Sequence, residues 1–172
     1  MIDLDDHAGL CPGLPAASAG TLALRACVAL ERQHHRAGMT MSTSVCGDDA
    51  PEVIRWKRLG LRVAPTQDDI RVTEEGAVAL ALALCARHCG WRVVRILQSR
   101  LGEGADWLMA DGSKRRVVLE VGGTDEGNVA ALLTRKLEQA RNSRFARRGA
   151  RPAACVVRFV EPRALLESDD GP

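Results

Sequence analysis

The chain of 172 residues predicts an α/β protein built on one mixed central sheet. Two observations carry that prediction. After residue 67 the pattern reads helix, strand, strand, strand, helix, strand, and before it stand a helix and a β-hairpin. A third is composition: 46% hydrophobic residues suffice for a real core, and the length is most simply one domain. The expected organisation is an N-terminal helix and hairpin extension over 1–66, a core over 67–162 and a tail over 163–172.

After an opening rich in Gly, Pro and Ala, TLALRACVALERQHH (Thr21 to His35) repeats apolar residues at helical spacing. MTMSTSV then alternates, CGDDAP supplies turn residues, and EVIRW returns, which predicts a hairpin with Trp56 covering one face. The next helix is expected to take Thr73 as its N-cap, carry Glu74 and Glu75 at the positive end of its dipole, and stop before Gly90. It is apolar almost all round, so it should be buried on more than one side. WRVVRIL (Trp91 to Leu97), ADWLMA and RRVVLEV read as strands, the last two joined through the turn DGS. A helix from Glu126 to about Arg148 and a strand ACVVRFV (Ala154 to Val160) precede an acidic, frayed tail.

Asp106 and Glu120 are the residues on which function turns. In an antiparallel hairpin, directly opposite positions add to a constant, so a loop centred on Ser113 sets Asp106 against Glu120 on one face. Val117, Leu119 and Val121 then face the other way and pack on a helix. Two adjoining carboxylates repel unless a cation sits between them. Magnesium, or manganese in its place, is a hard ion that accepts one or two carboxylates plus water and phosphate oxygens. So held, such an ion polarises a phosphodiester and activates water.

With those two acids on the second and third core strands, the segment from about Thr73 to Val160 resembles the PD-(D/E)XK nuclease superfamily, whose fold is the restriction-endonuclease-like core. The resemblance implies Asp106 and Glu120 as metal ligands and catalytic residues, and a lysine two positions after Glu120. Gly122 stands there instead. Some members relocate that lysine or carry a helical Lys and Gln near the metal, which here would be Lys136 and Gln139. Periodicity supports a question about Lys136, since it falls inside the apolar stripe of Val129, Leu132, Leu133, Leu137 and Ala140, with Gln139 at the border. The bland alternative is a lysine whose stem snorkels to solvent. Several members also take a carboxylate from the first core helix, a role open to Glu75 and, less so, Glu74; dipole compensation explains both equally simply.

From Arg135 to Arg151 the sequence RKLEQARNSRFARRGAR sets Arg135, Lys136, Arg141, Arg144, Arg147, Arg148 and Arg151 against one acid, Glu138. The run is expected to hold phosphates of nucleic acid, DNA favoured over RNA, although part of it complements a helix dipole. With no tyrosine and 3% aromatics, stacking on single strands is disfavoured.

Zinc is disfavoured too. Cys85, His88 and Cys89 lie on one helix, and His34 and His35 do not supply a second pair with metal-site spacing. The six cysteines read as thiols in a reducing compartment and as small core residues. GEGADW lacks the Lys-Ser or Lys-Thr of a P-loop and precedes a strand, so its glycines serve close backbone approach or a tight turn. An acidic N-terminus and no apolar run long enough to span a bilayer point to the cytoplasm and away from membranes.

The first third resembles the front of small bacterial proteins in which a similar helix and hairpin precede the nuclease-like core; it assigns no activity and leaves sheet extension, DNA clasping and homodimer formation open. The sequence thus points first to a metal-dependent nuclease or nucleic-acid binder, with bacterial defence or a mobile element as the expected setting. The competing expectation is a catalytically inactive scaffold of the same fold that assembles with protein partners, which Gly122 favours. A small-molecule enzyme on another α/β fold stays open because fold does not set function.

Overall fold

A computed structural model describes residues 1–59, 69–97 and 106–169. In chain order the elements are β1 (Ile2–Asp3), α1 (His7–Leu10), α2 (Ala16–Arg32), β2 (Met39–Val45), β3 (Asp48–Asp49), β4 (Glu52–Arg55), α3 (Asp69–Cys89), β5 (Arg92–Ile96), β6 (Trp107–Ala110), β7 (Arg116–Thr124), α4 (Val129–Asn142), β8 (Arg151–Arg158) and β9 (Arg163–Ser168). The strands form one curled mixed sheet in the order β1-β4-β2-β9-β8-β7-β6-β5, with β3 beside β2. Parallel pairings join β1 to β4, β2 to β9 and β7 to β8, and the remaining neighbours are antiparallel. The expected succession of helix, three strands, helix and strand is present as α3-β5-β6-β7-α4-β8.

Helices cover both faces of the sheet's centre. On one side α3 lies on β7 and β8 and carries α2 on its own back. That double contact explains why α3 is apolar all round and rich in alanine: Val72, Ala77 and Ala79 through Cys85 are all buried. Gly76 lets the two helices touch, since a Cβ there would stand 3.1 Å from the Ala26 Cα. On the other side Val129 and Leu133 of α4 pack on Ala154 and Val156 of β8. Strand β8 is therefore covered on both faces, Ala153, Cys155 and Val157 lying in the core with α2 and α3. A near-continuous apolar run is what such a strand requires. All six cysteines are free, and burial is the main reason the thiols of Cys11 and Cys27 are pushed up to about 12.

Several boundaries differ from the sequence expectation, each for a tertiary reason. Thr73 is not an N-cap: α3 already runs from Asp69, where Arg32 of α2 pairs with the Asp69 carboxylate, and the added turn buries Val72 completely. The expected helix from Glu126 to Arg148 begins after an Asn128 cap and ends at Asn142, followed by a separate turn of 3₁₀ helix, Ala146–Arg148, that Gly149 closes at φ +87. Residues 163–168, expected in a frayed tail, form β9, with Ala164 and Leu166 fully buried. The opening is also ordered, as Ile2 and Asp3 pair with Ile54 and Arg55. The Gly102 and Gly104 turn, the first part of the predicted Ala105 strand, the boundary near residues 66–67 and the last residues of the tail lie outside the described residues.

The N-terminal hairpin belongs to the same sheet and the same core as the rest. Trp56 is buried and donates its indole N–H to Glu31 of α2 at 2.9 Å. Glu52 of β4 accepts from Arg87 at 2.7 Å and contacts His88 at 2.8 Å, both on α3. Burial is the largest single influence on that carboxyl and raises its pKa, but the neighbouring cations outweigh it and hold Glu52 below its ordinary range. Among the described residues, no helix is long and apolar enough to cross a membrane.

Packing is close at β7. A Cβ on Gly123 would sit 2.4 Å from the carbonyl oxygen of Thr73, whereas one on Gly122 would lie 3.3 Å from the movable Leu132 Cδ2. Gly123→Ala should therefore lose about 1–3 kcal/mol in chemical denaturation, as overpacking against fixed backbone does, and Gly122→Ala clearly less. Equal effects would show that α3 yields as readily as the Leu132 side chain.

Candidate functional site

The β6–β7 turn determines where the two acids meet. Asp111 Oδ1 accepts from the backbone N–H groups of Ser113 and Arg115, each at 2.9 Å, and from the Ser113 hydroxyl at 3.0 Å. Its other oxygen takes the Arg115 Nε at 2.9 Å, while Lys114 adopts φ +66. With that turn closed, Trp107 pairs with Leu119, Leu108 with Val118 and Met109 with Val117. One further step of the same register brings Asp106 opposite Glu120. Their proximity is visible in the bonding: Asp106 Oδ2 accepts from the N–H of Val121 at 3.0 Å.

Glu120 is only 4% exposed. Its pKa is raised, first by burial and next by the negative charge of Asp106, with Lys136 working in the opposite direction. Lys136 Nζ donates to Glu120 Oε2 at 3.0 Å. The lysine inside the apolar stripe of α4 thus points at the acid pair, not to open solvent as a snorkelling side chain would. Its placement follows from Gly122: Leu132 lies over that glycine, and Lys136, one helical turn further, is brought over Glu120.

Asp106 and Lys136 line a cleft of about 760 Å³ together with Gln139, Arg135, Glu74 and Glu75. Glu75 faces this cleft, but its carboxylate is held by Arg71 at 2.6 Å and Arg25 at 3.3 Å. Glu74 is exposed at the rim. Among the described residues, no group of three His, Cys, Asp or Glu side chains converges to hold a metal ion. A cation at Asp106 and Glu120 would have these two carboxylates, with water or phosphate oxygens completing its shell. The donor set fits a hard divalent ion: two hard oxygen ligands lie on adjoining strands, and the repulsion that raises Glu120 is what such an ion relieves.

The basic run divides. Arg135 lines the cleft, and Arg144, Arg147 and Arg148 are exposed, Arg144 lying 5.0 Å over the ring of Phe145. Arg141 makes a two-pronged pair with Asp169 at 2.6 and 3.0 Å. Arg151 is buried with its guanidinium 5.0 Å over Trp91. These last two are engaged within the protein. Of the other candidates, His35 Nε2 lies 2.7 Å from the Phe159 carbonyl oxygen, and His88 is the partner of Glu52. The sequence reading also missed Thr73 as a cleft-side link, its hydroxyl lying 3.3 Å from the Asp125 carboxylate; no local pattern announces a contact between residues so far apart.

No family model matches the chain, and neither a curated protein nor a solved structure does.

A carboxyl whose pKa is raised on folding favours the folded state while protonated and costs stability once pH climbs from its unfolded value through its folded one. Glu120→Gln removes that cost. In the presence of EDTA the variant should melt at or above the wild-type temperature at pH 7, with the difference shrinking towards pH 4. A lower melting temperature at pH 7 would show that the ion pair with Lys136 outweighs burial and the Asp106 repulsion.

Proposed function

We propose that this chain is a divergent member of the restriction-endonuclease-like, PD-(D/E)XK class, hydrolysing phosphodiester bonds of nucleic acid with a divalent metal. The observation that carries the reading is the meeting of Asp106, just before β6, Glu120 of β7 and Lys136 of α4, at a cleft that Asp106 and Lys136 line and beneath which Glu120 is buried. Asp106 and Glu120 would hold magnesium or manganese. When bound, such an ion supplies Lewis-acid polarisation of a phosphoryl oxygen and a more acidic water. Lys136 provides the positive charge that the position of Gly122 lacks. Its ammonium can stabilise negative charge developing on the phosphate, or donate a hydrogen bond to a water lying beside Glu120. Gln139 and Arg135 line the same cleft and would orient the phosphate on its α4 side.

A second reading is favoured by one specific observation. Lys136 and the Val121 N–H already serve the two carboxylates, so the site is internally satisfied by protein groups. A scaffold that retains the fold and binds protein partners would have the same arrangement.

Cleavage separates the two. Asp106→Asn or Glu120→Gln should abolish magnesium-dependent hydrolysis of DNA or RNA with the circular dichroism spectrum unchanged, because metal affinity depends on both negative charges. Lys136→Met keeps most of the stem and removes the charge, and should lower turnover by about 10²-fold or more. A wild-type protein that cleaves neither nucleic acid in magnesium or manganese would leave the scaffold standing.

A further inference from the structure

Strand register puts arginines distant in sequence onto the same sheet face as the acid pair. Arg92 of β5 pairs with Ala110 of β6, which pairs with Arg116 of β7. Residues directly opposite share a face, so Arg92 and Arg116 lie on one side of the sheet, about 10 Å apart across two strand spacings. The next row, Val93, Met109 and Val117, turns into the core shared with α3. A bulge then inserts Val94, and Arg95 comes opposite Leu108 and, beyond it, Val118, on the face of Arg92 again. Leu97 follows, its N–H bonded to the Asp106 carbonyl, which completes the row that holds Asp106 and Glu120.

On this face Arg92 and Arg95 of β5 are exposed, while Leu108 and Ala110 of β6, which lie between them and β7, are buried. Helix α4 covers the β8 side of the face, and Phe145 and Ala146 cover Val118. Arg148 stands at that boundary and lines, with Arg116, a concavity of about 540 Å³. Arg92, Arg95, Arg116 and Arg148 are all exposed. Among the described residues none of the four has a carboxylate partner, whereas Arg71, Arg87, Arg115, Arg141 and Arg158 each have one. Four like charges gathered on one face repel and disfavour the folded state, an effect that a polyanion reverses.

The geometry points to this arginine-lined face of β5, β6 and β7 as the seat of the phosphodiester backbone of a nucleic-acid duplex, leading along β7 to Asp106 and Glu120. The inference rests on the nucleic-acid reading of that site and gives its substrate a bound form and direction. Arg116 lies four residues before Glu120 on the same face, about 13 Å along the strand. At about 3.4 Å of duplex axis per nucleotide, that is about four nucleotides from the acid pair. A duplex is favoured over a single strand because the chain has no tyrosine and 3% aromatics, and Phe145 already carries Arg144 over its ring.

The test is equilibrium binding of a short fluorescent duplex of mixed sequence, followed by anisotropy over a salt series in EDTA so that binding is read without cleavage. Arg92→Gln, Arg95→Gln and Arg116→Gln combined should weaken duplex binding about tenfold or more near 50 mM salt and reduce the slope of log K against log salt by about 2–3. A control with the same charge change on the exposed Arg36, Lys57 and Arg58 should alter that slope by less than half as much. Circular dichroism and melting temperature verify that both triples are folded. Single-stranded DNA should bind the wild type more weakly than the duplex. Equal slopes for the two triples, preference for single strands, or wild-type binding to polyglutamate and to no DNA or RNA duplex would overturn the assignment, the last in favour of an acidic protein partner. A protein that binds in this way without cleaving loses only the catalytic reading, and one that cleaves with the arginine triple unimpaired loses only this surface.

Discussion

Strand β7 carries a helix on each face, and two adjacent glycines let both come close. Alternate residues of a strand face opposite ways, so Gly123 admits α3 on one side and Gly122 admits Leu132 of α4 on the other. The position of the site follows from this contact. Were α4 held away from the sheet by a side chain at 122, Lys136 would not reach Glu120. The absent lysine after Glu120 and the lysine inside the apolar stripe of α4 are two consequences of one packing arrangement: a long side chain at 122 would enter the space that Leu132 fills.

The electrostatics of the cleft rest on the imbalance thereby created. Glu120 is buried beside Asp106, and both circumstances favour its protonated form, while the ammonium of Lys136 favours the charged one. Such a pair of acids is costly for a fold to keep and useful for holding a hard cation. The carboxylate of Glu75, by contrast, is neutralised by two arginines before it can contribute to the acid pair. The site therefore sets two acids of the sheet against Lys136 of α4, with Arg135 of the same helix lining the cleft, and the row of the acid pair continues onto a face populated by arginines.

Both halves of the chain support this arrangement. Strand β9 pairs with β8 on one side and β2 on the other, so it joins the N-terminal hairpin to the sheet that bears the site. From the opposite side, Glu52 ties β4 to Arg87 and His88 near the end of α3. Helix α3 is gripped by α2 along its back and by the sheet along its front, which steadies the helix against which Gly123 is packed.

Periodicity and turn chemistry determined much of this without any tertiary information. The helical spacing in 21–35 and 73–89, the alternation in the hairpin and the Asp111 turn are local, and a turn centred on Ser113 was enough to set Asp106 against Glu120 because antiparallel register is arithmetic once the turn is placed. The anomaly of Lys136 was visible for the same reason, as a charge inside an apolar stripe. What lay beyond the sequence were the effects of distant partners. Residues 163–168 read as an acidic tail until β2 and β8 supply neighbours on both sides; α3 starts earlier than Thr73 because its extra turn buries Val72 among other elements. Arg141 and Arg151 belong to a basic run in sequence but to Asp169 and Trp91 in space. Arg92, Arg95 and Arg116 share a face with the acid pair only through a register spanning three strands and one bulge. Local backbone preferences act over a few residues and are written in the sequence directly, whereas burial and charge pairing depend on which remote surfaces meet, and only the folded chain decides that.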